Sequence, residues 1–247
     1  MNNAETILFK NVTPEIRKLV EQGNLRIGST KYYKQIETTD PRHDHAEGLP
    51  DLIIHGSERL ISYEEADEMF RTLGGSLPKT KFGAIKLEGD ATLSFVSPYN
   101  ATIFCMSQRQ NPKFGPHSFK LRSIQKFESA VAKVVLEKFR EYLPVLYRNL
   151  PKEDVPNIIG IWHCNRAIEY KDGKTDFVTW KNGRPVFTDR MALEKSTKFE
   201  DEREHRFIFN PIVQYENGKS EISVMPAEFE YFDVHIDGLA NLIEWIV

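Results

Sequence analysis

The run Lys198-Phe-Glu-Asp-Glu-Arg-Glu-His-Arg-Phe-Ile-Phe-Asn210 constrains the chain more than any other stretch. Read as a strand, it alternates. Glu202, Glu204 and Arg206 fall on one side, and His205, Phe207 and Phe209 on the other. The aromatic side calls for a core to cover it. The charged side holds two carboxylates and a guanidinium. Same-side neighbours in a strand lie about 6.5–7 Å apart, close enough for Arg206 to balance one carboxylate and for the like charges to perturb each other if water is excluded. A solvated polar face on a half-buried antiparallel strand is the plain alternative, and there the ion pair contributes little. On the pattern alone, Glu204→Gln is expected to leave folding nearly untouched.

The remaining sequence reads as strands with few helices. Ile7-Leu8-Phe9 has the character of a short buried strand. Thr13-Pro14-Glu15 opens a helix, with Thr13 as N-cap and Pro14 in the first turn; it ends at Gly23, and Leu25–Gly28 resumes as a strand. Ser29 to Pro50 is polar and reads as a loop. Strands are expected at Asp51–His55, Ala84–Leu87, Ala91–Val96 and Ala101–Met106, the last three as an antiparallel meander, with a capped helix between Ser62 and Phe70. Ser123 starts the longest helix, in which Ile124, Phe127, Val131, Val134, Val135 and Leu136 form an apolar stripe. Further strands are expected at Ile158–Trp162, Ala167–Tyr170, Glu221–Val224 and Glu228–Ile236. A meander or short helix fits Phe177–Leu193, a hairpin turn Asn217-Gly218, and a helix the chain end from Leu239 to Ile246. The expected class is α+β, most simply one domain over residues 1–247.

No apolar run approaches the ~20 residues of a membrane span, and no basic segment followed by an apolar one stands at the start, so a cytoplasmic protein without a membrane partner is expected. Cys105 and Cys164 are the only cysteines and fit reduced thiols. The net charge of −3, from 33 basic and 36 acidic side chains, gives no global reason to bind nucleic acid. Locally, Lys31 and Lys34 bracket Tyr32 and Tyr33, a mix suited to stacking on a ring and holding phosphate. His43, Asp44, His45 and Glu47 are metal-ligand types, but no spacing of the His-Glu-x-x-His kind fixes them as a site, and no metal is assigned. Phosphate loops of the Walker or Rossmann type and a Gly-x-Ser-x-Gly turn are absent, and His163 beside Cys164 points to the opposite face of a strand.

Leu8-Phe9-Lys10, the helix from Thr13 to Gln22, Gly23-Asn24-Leu25 and Glu202-x-Glu204-x-Arg206, with Cys105-Met-Ser107 and Glu169-Tyr170, resemble a bacterial defence-associated family. That layout is similar in turn to the ADP-ribosyltransferase fold, especially DarT-like nucleic-acid-modifying toxins, in which split mixed sheets with flanking helices form a cleft for NAD. The resemblance implies an NAD-dependent mono-ADP-ribosyltransferase acting as a toxin or anti-phage effector, with NAD as substrate and a possible antitoxin partner. It implies Glu204 as the catalytic carboxylate and Glu202 as the group orienting the acceptor. Lys10, Thr13, Ser29, Thr30, Tyr32, Tyr33, Arg42 and Arg206 would hold the cofactor. Lys10 stands where such toxins carry His or Arg, and the Ser29-Thr30 step lacks the third residue of a Ser-Thr-Ser motif. The acceptor implied is a nucleobase, in RNA before DNA, with a protein side chain also open. Two readings stand beside it: a non-catalytic ligand- or nucleic-acid-sensing module of a defence system, and a metal-dependent nuclease built on His43, Asp44, His45 and Glu47.

Overall fold

A computed structural model describes residues 6–37, 51–54, 60–62, 84–86, 91–94, 100–146, 155–171, 178–181, 184–187, 192–195, 197–223, 225 and 229–246. Its centre is a nine-stranded antiparallel sheet, with few helices around it, which makes the chain α+β. The strand that the sequence marks is β14 (Glu204–Gln214), 11 residues long. One edge of β14 pairs with β9 (Asn157–Ala167). Its other edge pairs first with β7 (Thr102–Ser107) and then with the short β15 (Ser220–Ile222), across a turn in which Gly218 adopts φ +78°.

Beyond β7 the sheet divides. The start of β7 pairs with β2 (Asn24–Ser29), which pairs with β16 (Tyr231–His235). The end of β7 meets β1 (Phe9–Val12) at Phe9↔Ser107, and β1 leads to β8 (His117–Leu121) and β17 (Ile243–Ile246). Between β1 and β2 lies α1 (Pro14–Glu21), capped by the Thr13 hydroxyl, which accepts from the Ile16 N–H. Gly23 follows with φ +86°, the left-handed residue that commonly closes a helix. After β2 comes α2 (Thr30–Glu37), where the polar composition reads as loop. Ser29 explains the difference: its hydroxyl accepts from the Tyr32 N–H at 3.1 Å, a cap three residues ahead that starts the helix.

The core packs under α3 (Ile124–Leu146), where Phe127, Val131, Val135, Phe139 and Leu143 recur every fourth residue and are almost fully buried. Burying each side chain of this size stabilises the fold by about 1.5–3 kcal/mol. Phe104 and Phe207 lie with ring centroids 5.5 and 5.4 Å from Phe127. A smaller cluster of Ala101, Ile103, Ile168, Ala192, Leu193 and Ile208 forms separately. β14 therefore does not carry a solvated face: every residue from Glu204 to Pro211 is buried.

Several boundaries differ from the sequence reading. Residues Thr197–Glu202 form a 3-10 turn, so Glu202 stands before β14 and not on it. Segments β3 (Asp51–Ile54), β4 (Leu60–Ser62), β5 (Ala84–Lys86) and β6 (Ala91–Ser94) pair as β3 with β6 and β4 with β5, and not as a meander running into β7. Strands β11 (Val178–Lys181) and β12 (Arg184–Phe187) pair antiparallel, in the region where the sequence allows a meander or a short helix. The chain end is helical only over α4 (Leu239–Leu242), after which β17 completes the sheet. The helix read between Ser62 and Phe70 lies outside the described residues. Among those described, no helix is long and apolar enough to cross a membrane.

Candidate functional site

A pocket of about 280 Å³ opens where the sheet divides. Its lining comes from β1 (Phe9, Lys10, Asn11), β7 (Cys105, Met106, Ser107), α2 (Tyr33), β14 (Glu204, Arg206), Glu202 of the preceding turn, Phe114 and Lys195. Each side chain has a topological reason to be there. In the β7–β14 ladder Cys105 pairs with Arg206 and Ser107 with Glu204, so alternation puts these groups on one face. Lys195 belongs to the two-residue strand β13 (Glu194–Lys195), which pairs in parallel with β10 (Glu169–Tyr170). Tyr33 reaches the pocket across Gly28, where a Cβ would stand 2.6 Å from the Tyr33 ring and 2.7 Å from the Tyr32 ring. Only a residue without a side chain lets both rings approach that strand.

At its centre is a buried charge cluster. Arg206 Nε donates to Glu204 Oε1 at 2.6 Å and Nη2 to Oε2 at 3.3 Å, a fork-shaped pairing, while Nη1 donates to the Ala192 carbonyl at 2.8 Å. Lys195 Nζ lies 3.0 Å from Glu204 Oε2 and 3.1 Å from Glu202 Oε2, so one ammonium joins both carboxylates. The Tyr170 hydroxyl accepts from the Glu204 N–H at 2.7 Å. Burial pushes the Glu204 carboxyl up, but the charges of Arg206 and Lys195, with hydrogen bonds from Arg206 and the Cys105 thiol, outweigh it and hold the group well below the usual carboxylate range. Glu204 is an anion wherever the protein is folded at neutral pH.

The surrounding groups shift in consistent directions. Burial lowers the Lys10 ammonium, partly offset by Cys105 and Glu204; its Nζ donates to the Cys105 carbonyl at 2.7 Å and lies 5.1 Å from the Phe104 ring centroid. Burial raises the Tyr33 phenol and the Cys105 thiol well above their ordinary values, helped by the negative charge of Glu204. Tyr170 is pushed up to about 12, again chiefly by burial. Cys105 is thus a neutral thiol, and neither Cys105 nor Cys164 is in a disulfide.

Of the residues singled out in the sequence, Lys10, Tyr33, Glu202, Glu204 and Arg206 meet in this pocket. Others do not line it. Thr13 is a helix cap, and Ser29 is fully buried, its hydroxyl donating to the Phe229 carbonyl at 3.0 Å. Thr30 Oγ1 bonds Asn100 Oδ1. Tyr32 turns to an outer cluster, where its hydroxyl accepts from Arg26 and its ring lies 5.0 Å from that of Tyr231. Arg206 lines the pocket with its guanidinium bonded to Glu204 and to the Ala192 carbonyl. Arg42, and the set His43, Asp44, His45 and Glu47, lie outside the described residues. Among described residues, no three His, Cys, Asp or Glu side chains are placed to hold a metal ion. Lys195 is not singled out in the sequence, and Tyr170 enters there only within Glu169-Tyr170. The imbalance of two carboxylates against one guanidinium is the signal that a second cation was required.

Behind β14 a second polar chain runs under α3. Buried Glu128 takes His163 Nδ1 at 2.8 Å on one oxygen and the Asn165 amide on the other, and Asn165 Oδ1 meets His205 Nε2 at 3.1 Å. Burial lowers His205 to about 4 from an ordinary 6.5, with Glu128 opposing. A depressed imidazole stabilises the fold fully above about pH 6.5, and that stability is lost as the pH falls towards 4. At pH 4 the loss attributable to His205 is roughly 3 kcal/mol, since each pKa unit corresponds to about 1.4 kcal/mol. Urea unfolding of wild type and His205→Phe at pH 7 and pH 4 measures it. The wild type should lose more than the variant, and equal losses would contradict the assignment.

The chain matches no protein-family model, no curated protein and no solved structure.

Proposed function

We propose that the chain is an NAD-dependent mono-ADP-ribosyltransferase with an ADP-ribosyltransferase-like arrangement of split sheets, acting as a toxin or anti-phage effector. The observation that carries this reading is the convergence of Lys10, Tyr33, Glu202, Glu204 and Arg206 in one pocket at the division of the sheet. A carboxylate has about four lone-pair positions, and at Glu204 the weakest donor is the Cys105 thiol. A ribose hydroxyl of NAD displaces that thiol and donates to Glu204. As the bond between ribose C1 and the nicotinamide nitrogen breaks, its electron pair leaves with nicotinamide, and the fixed negative charge of Glu204 stabilises the cationic sugar. The acceptor atom then bonds to C1 and releases its proton to solvent water. Tyr33 covers the nicotinamide ring, Lys10 meets the anionic pyrophosphate, and Glu202 at the pocket edge orients the acceptor.

Incubation with NAD labelled in its adenylate phosphate, together with RNA, single-stranded DNA or protein extract, tests the reading. Label should stay with nucleic acid, RNA in the first place. If no fraction retains label and no nicotinamide is released, the reading is wrong. One observation favours a non-catalytic sensing module instead: both Glu204 oxygens are already engaged by Arg206 and Lys195. Saturable NAD binding without turnover would establish that alternative.

A further inference from the structure

We propose that Lys195 is a positioning residue, which fixes Glu202 against Glu204 and so sets how the reaction divides between transfer to an acceptor and hydrolysis by water; this rests on the transferase reading of the pocket. Strand geometry alone does not bring the two carboxylates together. Glu202 ends the 3-10 turn, Glu204 opens β14, and Arg203 between them has φ +43°, a left-handed conformation that non-glycine residues seldom take. Side-chain alternation along β14 therefore stops at Glu204 and does not aim Glu202. Both nevertheless line one pocket.

Backbone of this kind persists where its surroundings over-determine it. Two bonds hold the main chain: the Ser107 hydroxyl donates to the Glu202 carbonyl, and the Gln108 N–H donates to the Arg203 carbonyl at 2.9 Å. The Glu202 side chain is met by Lys195, whose Nζ lies 3.1 Å from Glu202 Oε2 and 3.0 Å from Glu204 Oε2. A lysine side chain only 2% exposed is rare unless its charge is paired, and here it is paired twice. The same ammonium stands 5.2 Å from the ring centroid of Phe199, a buried residue of the turn that carries Glu202. Turn and strand are thus joined through one cation. That cation is itself placed by the parallel pairing of β13 with β10, whose Tyr170 hydroxyl accepts from the Glu204 N–H.

The two carboxylates depend on Lys195 unequally. Glu204 is held by the Arg206 fork as well, whereas loss of the ammonium sets the Glu202 carboxylate against that of Glu204 without the cation between them, and like charges move apart. In either course of the reaction nicotinamide leaves with the electron pair of its bond to ribose C1. C1 then bonds to the acceptor atom or to a water oxygen, and the displaced proton passes to solvent water. Only the first course needs an oriented acceptor, and a misplacement of about 1 Å can cost on the order of 100-fold in such a step.

The test follows NAD labelled in its adenylate phosphate, with RNA, single-stranded DNA and protein extract present together, and measures label kept on macromolecules against free ADP-ribose. Lys195→Met should lower that ratio by on the order of tenfold or more, with total nicotinamide release falling less than transfer does. Lys195→Arg, which keeps a cation able to bond both carboxylates, should bring the ratio back to within about threefold of wild type. In a Glu202→Gln background, where the ratio is already low, Lys195→Met should change it no further, because the lysine acts through Glu202. That double variant also removes both partners of one ion pair, so the comparison stands even where Lys195→Met alone fails to fold. An unchanged ratio in Lys195→Met, or a further drop in the double variant, overturns the inference while leaving the transferase reading. Equal loss of transfer and hydrolysis that Lys195→Arg does not restore gives Lys195 a structural role alone and overturns it too. No nicotinamide release from the wild type removes the transferase reading, and the inference with it.

Discussion

An Arg206→Met variant should unfold about 3–5 kcal/mol more easily than wild type, because it removes one partner of a buried ion pair and leaves the other charge without its strongest donor. Arg206 is 1% exposed and Glu204 8%, so water cannot take over the lost bonds. The Ala192 carbonyl also loses the 2.8 Å bond that ties it to β14. For a chain of this size the loss corresponds to a fall in Tm on the order of 10 °C. Arg206→Lys keeps the charge but not the fork, and should cost less. Adding Glu204→Gln to Arg206→Met should cost less than the sum of the two single changes, because the carboxylate stranded by the first is removed by the second. Thermal unfolding of the four variants checks this. Strict additivity would show that the two side chains do not act as a pair.

Glu204→Gln should lower nicotinamide release on the order of 10²–10³-fold, the usual effect of removing a preorganised group that faces developing charge. Burial corrects the expectation that this exchange is silent for folding. Glutamine leaves Arg206 and Lys195 as neighbouring buried cations with Glu202 as the remaining anion, so Tm should fall too. Rates are therefore compared well below the variant's Tm, with far-UV circular dichroism as the check on folding. Glu202→Gln should behave differently. Its side chain is 17% exposed and meets the same lysine at 3.1 Å, so stability should change little. Transfer to the acceptor should fall while hydrolysis of NAD to ADP-ribose persists, because water needs no oriented acceptor. Parallel losses of both reactions in Glu202→Gln would remove the acceptor-orienting role.

How much of this was legible in the sequence depended on whether the signal was local. The cap at Thr13, the helix stop at Gly23 and the apolar stripe through Phe127, Val131 and Val135 are local, and they stand as read, while Phe139 and Leu143 extend that stripe beyond the residues named from the sequence. The importance of β14 was visible from its aromatic alternation. Its surroundings were not, because the second covering layer comes from Ile168, Ala192 and Leu193, far off in sequence. The same reason hid Lys195: it reaches Glu204 only because β13 pairs in parallel with β10, and nothing in Glu194-Lys195 announces a strand. Glu202 was placed on the strand because alternation cannot show where pairing starts, and the 3-10 turn ends one residue before Arg203. Tyr33 and Tyr32 were found together but part company in α2: Tyr33 lines the pocket, and Tyr32 lies with Arg26 and Tyr231. A helix capped by Ser29 separates neighbours that a loop would have left on one surface.

On the proposed transferase activity, the anionic Glu204, fixed by Arg206 and Lys195, drives cleavage of the nicotinamide bond. Nicotinamide release from NAD, measured by chromatography with wild type and folded Glu204→Gln in the presence of RNA, DNA and protein extract, addresses it most directly. The wild type should release nicotinamide in step with label transfer, and Glu204→Gln should do so at least 100-fold more slowly. Equal rates from the two proteins, or no release from wild type with all three acceptors present, would contradict the claim.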